Sequence, residues 1–577
     1  MSLSSADSTA TEMPPAVAVG PREITRALDR GRAPSIVLYV VVPLVIAGLM
    51  LAYLLNSRRV TGEFGFPLDD SWIHVRFAQN LARGYGFSFN PGQPTSSTTG
   101  PLWTLLMGLA YRITGEYLFT SAILNWLFCC LIALTAAALA RTLIPSRTFG
   151  AVTALVVALT VPLPWLALSG MEPPMFMWLT LLGLLLHVRL RRARGLRSIV
   201  PTVVFGLAVI SRPEGFLLFP LAMLDRLLVA QEETRGWPGL KSWLRQLAIH
   251  TPIFAAIVAP LISYNLLVIG RPLPSSYYVK AYNFGLTGAL ALKNNELVFQ
   301  SLVEAPLKTV GALLLLWAGN NFALIIPFLL GFYLLVKRDS PMRSADHRSY
   351  LIPLLLVVQP VAWAISTNYH RPPWFQGQRY FANLGPLYML VGLVGLWWWL
   401  ERPRPERIKF TPAWALALVL LAALARQPDQ AALFAHNVKN ITDMQVTTAR
   451  WIKQHLPKNS LLAMNDVGAI AAITDMRVLD MIGLVSPEIT QHFTKKNSLS
   501  GAWRLIIWEE AQKQNVDYLV IVMKPERYEG YLRSGHRPIH YISIDDNITC
   551  GGPLIVVFEP WWRPTQAAAQ SNAPGAR

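Results

Sequence analysis

The run IVLYVVVPLVIAGLMLAYLLN, residues 36–56, contains no charged side chain. A helix needs about 20 apolar residues to cross a bilayer, so this run predicts a membrane span. The polar lead before it is long, and the run lacks a small-residue cleavage site. It is therefore predicted to be an uncleaved first helix rather than a removed signal peptide. Residues 1–34 are rich in Ser, Ala, Pro and Arg and are predicted to form a disordered cytoplasmic N-terminus.

The composition of the whole chain is that of a membrane protein. The 577 residues are 53% hydrophobic and only 15% charged, with a mean hydropathy of +0.37. A soluble domain carries about 25% charged residues, so a soluble enzyme and a disordered scaffold are excluded. The net charge of +18 lies largely beside apolar runs, which predicts a topological role and no nucleic-acid partner. Cys129, Cys130 and Cys550 have no metal-ligand spacing and form no disulfide framework.

Ten further apolar runs predict about eleven spans in all. Three basic segments, 189–197, 337–348 and 401–409, are assigned to the cytoplasm by the positive-inside rule. The apolar runs 101–115 and 297–316 are predicted to be short juxtamembrane or re-entrant helices on the outer side, because crossings there would turn basic segments outward. A total of thirteen spans stays open. The ten runs are 118–141, 148–168, 173–189, 198–212, 214–230, 247–269, 318–337, 349–368, 381–400 and 411–426.

The chain after the last span has a mixed helix and strand pattern. It predicts a small extracytoplasmic α/β domain over residues 427–563, after a membrane domain over 35–426, and a disordered tail over 564–577. The predicted elements of the outer domain are a helix at 442–455, strands at 460–464 and 478–482, a helix at 503–515, and strands at 518–523 and 554–558.

The outer loop 57–117 is the most informative part of the chain. Within it, GFPLDDSWIHVRFAQNLARGYGFSFNPGQPTSSTTGPLW spans residues 65–103. Asp69 and Asp70 precede an amphipathic pattern at 71–83 that predicts a helix lying flat on the membrane. Like charge and partial burial raise a carboxyl pKa, which suits a general base. The alternative is that one of the two caps this helix.

This loop resembles the first outer loop of the GT-C superfamily of polyprenyl-phosphate-sugar-dependent glycosyltransferases. The resemblance is to members similar to the mycobacterial terminal arabinofuranosyltransferase and to the dolichyl-phosphate-mannose transferase group. The chain departs from the pattern at His74, where the family has an aromatic residue, and at Ser97, Thr98 and Thr99 in the variable approach to Pro-Leu-Trp. The matching positions are Asp69, Asp70, Arg76, Asn80, Leu81, Gly84, Gly86, Phe89, Asn90, Pro91, Gly92, Gly100, Pro101, Leu102 and Trp103.

Other motifs of the superfamily recur in order, so that the resemblance covers about residues 36–560. They are the segments 169–172, 211–215, 273–280, 378–380, 466–470 and 480–484. The predicted topology independently places most of the ionisable residues of these segments at one outer face. Ionisable residues at span ends on one face indicate a functional site.

The resemblance and this placement together define a candidate site. Asp69 and Asp70 are the predicted catalytic residues, with one of the two as general base. Cations near a leaving phosphate act most strongly in the transition state. The predicted donor phosphate-binding residues are Arg76, Lys280, Arg379, Arg212 and His370. The residues predicted to bind substrate or support the site are His74, Glu172, Glu214, Tyr278, Arg371 and Tyr380.

Several of these residues have a simpler interpretation. Arg212 and Glu214 would form an ion pair at a helix break, and Glu172 would be the dipole partner of a helix N-terminus. Lys280 and Arg379 would extend to lipid headgroups.

The resemblance implies an inverting membrane glycosyltransferase in the bacterial inner membrane, with its site on the extracytoplasmic face. It would move a sugar, with arabinofuranose suggested, from a polyprenyl-phosphate donor to a cell-envelope glycan or glycolipid. No cofactor or metal is expected, because the leaving group is already a phosphate monoester. The alternatives are a flippase or transporter of lipid-linked sugars and a non-catalytic membrane receptor.

Overall fold

The structure, a computed structural model, describes residues 29–337, 349–368, 372–402, 412–492 and 502–563. A helical bundle is followed by a C-terminal domain built around one sheet. The tail at 564–577 and residues 1–28 of the predicted N-terminal disorder lie outside the described residues. The remaining residues of that segment are ordered, since Asp29 accepts a hydrogen bond of 2.7 Å from the Thr148 amide and a helix begins at Ala33.

Among the described residues, five helices are long and apolar enough to cross a membrane, and shorter apolar helices pack with them. This confirms a multi-pass helical membrane protein, while the number of spans stays a prediction. The five long helices are Ala33–Thr61, Leu118–Leu143, Trp237–Ile269, Asn295–Asn320 and Ala382–Leu400. The shorter ones include Arg147–Ala158, Pro173–Arg189, Leu196–Ser211, Leu218–Glu233, Phe322–Val336, Leu351–Thr367 and Pro412–Ala425. The connecting helices are Asp69–Ala82, Pro101–Thr114, Pro162–Ala167, Ser275–Phe284 and Leu286–Ala291.

Some helix bounds differ from those predicted. The run predicted at 148–168 is two helices, Arg147–Ala158 and Pro162–Ala167, because Pro162 and Pro164 lack the N–H groups that would continue one helix. The helix predicted at 247–269 begins ten residues earlier, at Trp237.

The helix Asn295–Asn320 is longer than the short outer helix predicted there. Gly285, which precedes it, packs directly against the Ser366 carbonyl. At its other end, Asn320 Nδ2 donates a hydrogen bond of 3.0 Å to Gln378 Oε1. Ser366 and Gln378 flank the same connection between two bundle helices, so Gly285 and Asn320 lie at one end of the bundle.

The C-terminal domain contains a five-stranded sheet in the order β2-β1-β3-β5-β4. Strand β1 is parallel to β2 and β3, and the β3-β5-β4 part is antiparallel. Four strands match the predicted ones. The missed strand, β4, is an edge strand with a proline and a register shift between Pro538 and His540, which weaken its pattern. The strands are β1 Leu461–Met464, β2 Arg477–Asp480, β3 Tyr518–Met523, β4 Arg537–Ser543 and β5 Leu554–Glu559.

A nearly continuous series of helices joins the bundle to this domain. Helix Gln427–Ile441 follows Pro412–Ala425 after a break at Arg426, near the predicted domain boundary. It packs on the first helix, where the Tyr53 hydroxyl donates to Gln427 Oε1 at 2.8 Å. The remaining helices of the domain are Thr447–His455, Gly468–Thr474, Pro487–Thr490, Ala502–Lys513 and Tyr528–Arg533.

The topology can be tested with single cysteines in a background without Cys129, Cys130 and Cys550. We expect Asn295→Cys to react with a membrane-impermeant maleimide from the outer side, because Asn295 is exposed and follows Gly285, which lies at that end of the bundle, by only ten residues. Tyr85→Cys is the outer control and Arg194→Cys the inner one. Labelling of Asn295→Cys only after permeabilisation, as for Arg194→Cys, would contradict this arrangement.

Candidate active site

The helix Asp69–Ala82, here called the loop helix, lies between helix Pro101–Thr114 and helix Gly468–Thr474 of the outer domain, here called the docking helix. A helix lying flat on a membrane would leave its polar face in water. In the structure that face is covered, and His74 and Arg76 are buried. The outer domain thus covers part of the polar face of this helix, and its orientation on the membrane stays a prediction.

Asp69 fixes the outer domain to the bundle. Its carboxylate accepts hydrogen bonds from the backbone amides of Gly468 at 2.6 Å and Ala469 at 2.7 Å. Asp69 therefore caps the docking helix, whereas Leu68 holds the cap position of its own helix. The alternative prediction, that one of the two aspartates caps a helix, applies to Asp69. The helix that Asp69 caps, however, belongs to the outer domain.

A second carboxyl group lies beside Asp69. Asp466 shares a hydrogen bond with it, and Gln445 Nε2 donates to Asp466 Oδ2 at 2.7 Å. Burial raises the pKa of Asp69, and burial together with the charge of Asp69 raises the pKa of Asp466 well above its usual range. Two buried carboxyl groups in contact cannot both ionise without cost, so the pair retains a proton.

The loop helix also holds the far end of the docking helix. Arg76 and Arg83 both bind the carboxylate of Asp475, the residue directly after the docking helix, with Arg83 Nη1 at 2.8 Å. Arg76 is fully buried and donates from Nε to the Phe89 carbonyl at 3.1 Å. The structure thus separates Arg76 from the other predicted phosphate ligands and gives it a domain contact instead.

The Phe-Asn-Pro-Gly segment of the loop binds the sheet. Asn90 donates from Nδ2 to the Val478 carbonyl at 2.8 Å and accepts from the Val478 amide at 2.9 Å. Its side chain therefore pairs with the edge strand β2 as another strand would. Within the loop, Asn80 Nδ2 holds the carbonyls of Ser88 and Phe89. These motif residues position the loop.

Asp70, by contrast, points to a group of cations. Arg379 Nη2 binds Asp70 Oδ2 at 2.6 Å and donates to the Tyr380 hydroxyl at 3.1 Å. Lys280 Nζ lies 5.3 Å from the Tyr380 ring centroid, and no described carboxylate lies within ion-pair distance of it. The Asp70 side chain is 38% exposed. Arg379 is 7% exposed and paired, so the simpler interpretation of it as a lipid-facing side chain does not hold.

These charges determine which groups are ionised. Burial opposes the ionisation of Asp70, but Arg379, Lys280 and His74 hold the pKa of Asp70 below its usual value. Burial also opposes ionisation of Tyr380, yet Arg379 and Lys280 lower the pKa of Tyr380 to about 8. Asp70 is therefore an ionised, accessible carboxylate at neutral pH.

Glu172 is the centre of a second, adjoining group. It is fully buried, and Arg212 Nη1 binds its Oε1 at 2.6 Å. Arg212 also binds Glu214 through two nitrogens at 3.0 and 3.2 Å, which is the ion pair at a helix break that the simpler interpretation expects. Thr99, a departure from the family pattern to which the sequence assigned no role, donates to Glu172 Oε1 at 3.4 Å.

His74 joins the two groups. It follows Asp70 by four residues on one helix, so both side chains share a face. Its Nε2 lies 3.3 Å from Glu172 Oε2. His74 Nδ1 is buried and has no hydrogen-bond partner among the described residues, and the buried Glu172 Oε2 has the His74 contact but no well-formed hydrogen bond there. Buried polar atoms of this kind indicate contacts that a substrate would complete.

Besides Asp69 and Arg76, Tyr278 also falls outside these two groups. The Tyr278 hydroxyl accepts from the Leu273 amide at 3.3 Å and its ring packs under Arg271, so it supports its own loop. His370 and Arg371 lie outside the described residues. Asp475 was missed because a single acidic residue after a short helix carries no sequence signal. Across the described ranges, no three His, Cys, Asp or Glu side chains converge as metal ligands.

Sequence comparison finds relatives only for the outer domain. Residues 438–561 match a family described as "Domain of unknown function (DUF8728)". No curated protein matches the chain.

Structure comparison covers most of the chain. The apo form of the Archaeoglobus fulgidus oligosaccharyltransferase aligns with a TM-score of 0.56 and 14% identity, over 91% of this chain and 76% of that one. ArnT from Cupriavidus metallidurans in the apo state aligns with a TM-score of 0.55 and 12% identity, over 89% of this chain and 97% of that one. The chain has the GT-C fold.

A third structure adds a ligand to this GT-C comparison. ArnT from Cupriavidus metallidurans bound to undecaprenyl phosphate aligns with a TM-score of 0.52 and 14% identity, over 89% of this chain and 97% of that one. At these identities the likeness concerns the fold alone.

The close approach at Gly468 gives a test of the domain contact. A Cβ at this position would lie 2.0 Å from the Asp69 carbonyl oxygen. We expect Gly468→Ala to destabilise the docked outer domain by about 1–3 kcal/mol, as overpacking does. Thermal unfolding and limited proteolysis in detergent would measure this. Gly530→Ala is the matched control, because it lies in a helix of the same domain with open space around it. Equal stability of the two variants would contradict the contact.

Proposed function

We propose that this protein is a membrane glycosyltransferase that moves a sugar from a polyprenyl-phosphate donor to an extracytoplasmic acceptor. One observation carries the proposal: an accessible, ionised carboxylate, Asp70, lies beside Arg379 and Lys280 at one end of a membrane bundle. The fold supports it, and ArnT of the same fold is known with undecaprenyl phosphate bound.

Asp70 is the proposed general base. It has one oxygen bound to Arg379 and a partly exposed side chain, so an acceptor hydroxyl can reach it. Asp69 is unsuited to this role, because both of its oxygens accept backbone hydrogen bonds and it is 6% exposed. The base must lie within hydrogen-bond reach of the proton that it removes.

Lys280 and Arg379 are the proposed ligands of the donor phosphate. In the reaction the acceptor oxygen bonds to the anomeric carbon, the carbon–oxygen bond to phosphate breaks, and the acceptor proton passes to Asp70. The phosphate leaves with the bonding electrons, and fixed cations stabilise this developing charge. Bound phosphate would also compete with Asp70 for Arg379 and so raise the pKa of Asp70, which makes it a stronger base.

The Glu172 group is the proposed sugar-binding part of the site. His74 Nδ1, which has no hydrogen-bond partner among the described residues, and Glu172 Oε2, which contacts only His74 there, would bind sugar hydroxyls. Arg212 is bound to two carboxylates, which favours a role in holding Glu172 over a role in phosphate binding. A single displacement inverts the anomeric carbon. Arabinofuranose as the sugar and a cell-envelope glycan or glycolipid as the acceptor follow from the sequence resemblance and complete the proposal. A location in the bacterial inner membrane, with the site on the extracytoplasmic face, also follows from the sequence resemblance.

The two aspartates can be separated experimentally. We expect Asp70→Asn to lower turnover by about 10²–10⁴-fold, since removal of a general base costs this much. The measurement is release of free polyprenyl phosphate from a panel of polyprenyl-phosphate sugars, with cell-envelope extract as acceptor. Asp429→Asn, on an exposed helix surface, is the control and should match the wild type.

Asp69→Asn provides the contrast. We expect it to lose turnover only in proportion to its loss of protease resistance, because its carboxylate fixes the outer domain. Full turnover in Asp70→Asn would refute the proposed base. Complete loss of turnover in an Asp69→Asn protein whose outer domain stays docked would also refute the proposed base. Donor binding without release, in the wild type, would favour the flippase or receptor alternatives.

The carboxyl pair predicts a pH dependence of domain docking. The pKa values of Asp69 and Asp466 are raised in the folded state, so the folded state binds more protons above pH 4. Stability from this pair is therefore present at low pH and declines as pH rises, by up to about 1.4 kcal/mol per pH unit for each proton. Thermal unfolding between pH 5 and 8 should show this decline in the wild type relative to Asp466→Asn.

Comparing the wild type with Asp466→Asn cancels the contributions that other titrating groups make to the pH dependence of stability. Asp480, whose pKa burial raises to about 6, contributes in the same direction in both proteins. Parallel pH profiles for the wild type and Asp466→Asn would show that the pair does not share a proton.

A further inference from the structure

A basic pocket lies at the end of the bundle opposite to Asp70. Its volume is about 140 Å³, and it opens between segment 189–196, helix Leu218–Glu233 and the start of helix Trp237–Ile269. Helix Pro173–Arg189 connects the two ends, with Glu172 at its beginning. At a rise of 1.5 Å per residue the pocket is about 25 Å from Glu172, so it is separate from the candidate active site.

The lining of the pocket carries excess positive charge. Three arginines, Arg191, Arg192 and Arg226, line it together with one carboxylate, Glu233. Glu233 lies 3.7 Å from Arg192. The hydroxyls of Thr234 and Ser242 complete the polar lining. This combination of guanidinium and hydroxyl donors suits an oxyanion.

Arg226 is the buried arginine of this lining. It is 5% exposed, and its Nη1 donates to the neutral side chain of Gln246. Its Nε has no hydrogen-bond partner among the described residues. The neighbouring Asp225 is already bound to His187 at 2.7 Å and to the Tyr350 amide. A buried guanidinium without a direct ion pair is unfavourable, and a bound anion would remove that cost.

We propose that this pocket binds a phosphate group, carried by an anionic phospholipid headgroup or by a free phosphate ester, with Arg226 as its principal ligand. Arginine suits this role because its guanidinium can hold two phosphate oxygens at once. The surrounding helices are apolar and the segment 189–197 is basic, which places the pocket at the depth of lipid headgroups.

Native mass spectrometry of the purified full-length protein tests this. The probes are phosphatidylglycerol, phosphatidylcholine of the same acyl chains, and inorganic phosphate. We expect Arg226→Gln to lower retention of phosphatidylglycerol or of phosphate by about tenfold or more, as the loss of a charged hydrogen bond does. Ser242→Asp should do the same by repulsion without altering a buried residue. Arg235→Gln removes the same charge from an exposed position at this end and should bind as the wild type does.

The probes distinguish the two sources of phosphate. Retention of phosphatidylglycerol that inorganic phosphate does not displace identifies a lipid site, whereas retention of inorganic phosphate identifies a site for a soluble ester. Equal binding of phosphatidylcholine and phosphatidylglycerol, equal binding in Ser242→Asp and the wild type, or equal losses in Arg226→Gln and Arg235→Gln would overturn the proposal.

Discussion

The structure depends on one carboxylate that belongs to one domain and caps a helix of another. Asp69 is at the start of the loop helix, and its two oxygens receive the first amides of the docking helix. Such amides have no partner within their own helix, so burying them requires an external acceptor. Because Gly468 allows the two backbones to touch, the outer domain sits directly above the loop that carries the candidate site.

Two adjacent aspartates thereby take on different roles. Successive residues on a helix point about 100° apart, so Asp69 and Asp70 cannot face the same neighbour. Asp69 meets backbone amides and a second carboxyl group, and its pKa rises. Asp70 meets Arg379 and Lys280, and its pKa falls. The positions of their neighbours, rather than the residue type, separate the structural carboxyl group from the accessible one.

The sequence predicted the parts of this arrangement that depend on local pattern. Apolar length identified the bundle helices, and Asp70 and Arg379, which the sequence assigned to one outer face, are in contact in the structure. The roles of Arg76 and Asn90 could not be predicted, because each depends on a partner about 390 residues away, Asp475 and Val478. Strand β4 was missed because an edge strand with a proline lacks a regular alternation.

The pairing of Asn90 with β2 has a further effect on the outer domain. A sheet with free edges can recruit strands from other molecules and aggregate. At one edge, the Asn90 amide occupies both hydrogen-bonding groups of Val478. At the other edge, β4 contains Pro538, which has no N–H to donate, and an irregular register. Each edge thus carries a feature that hinders pairing with a foreign strand, and at one edge that feature is a loop of the membrane domain.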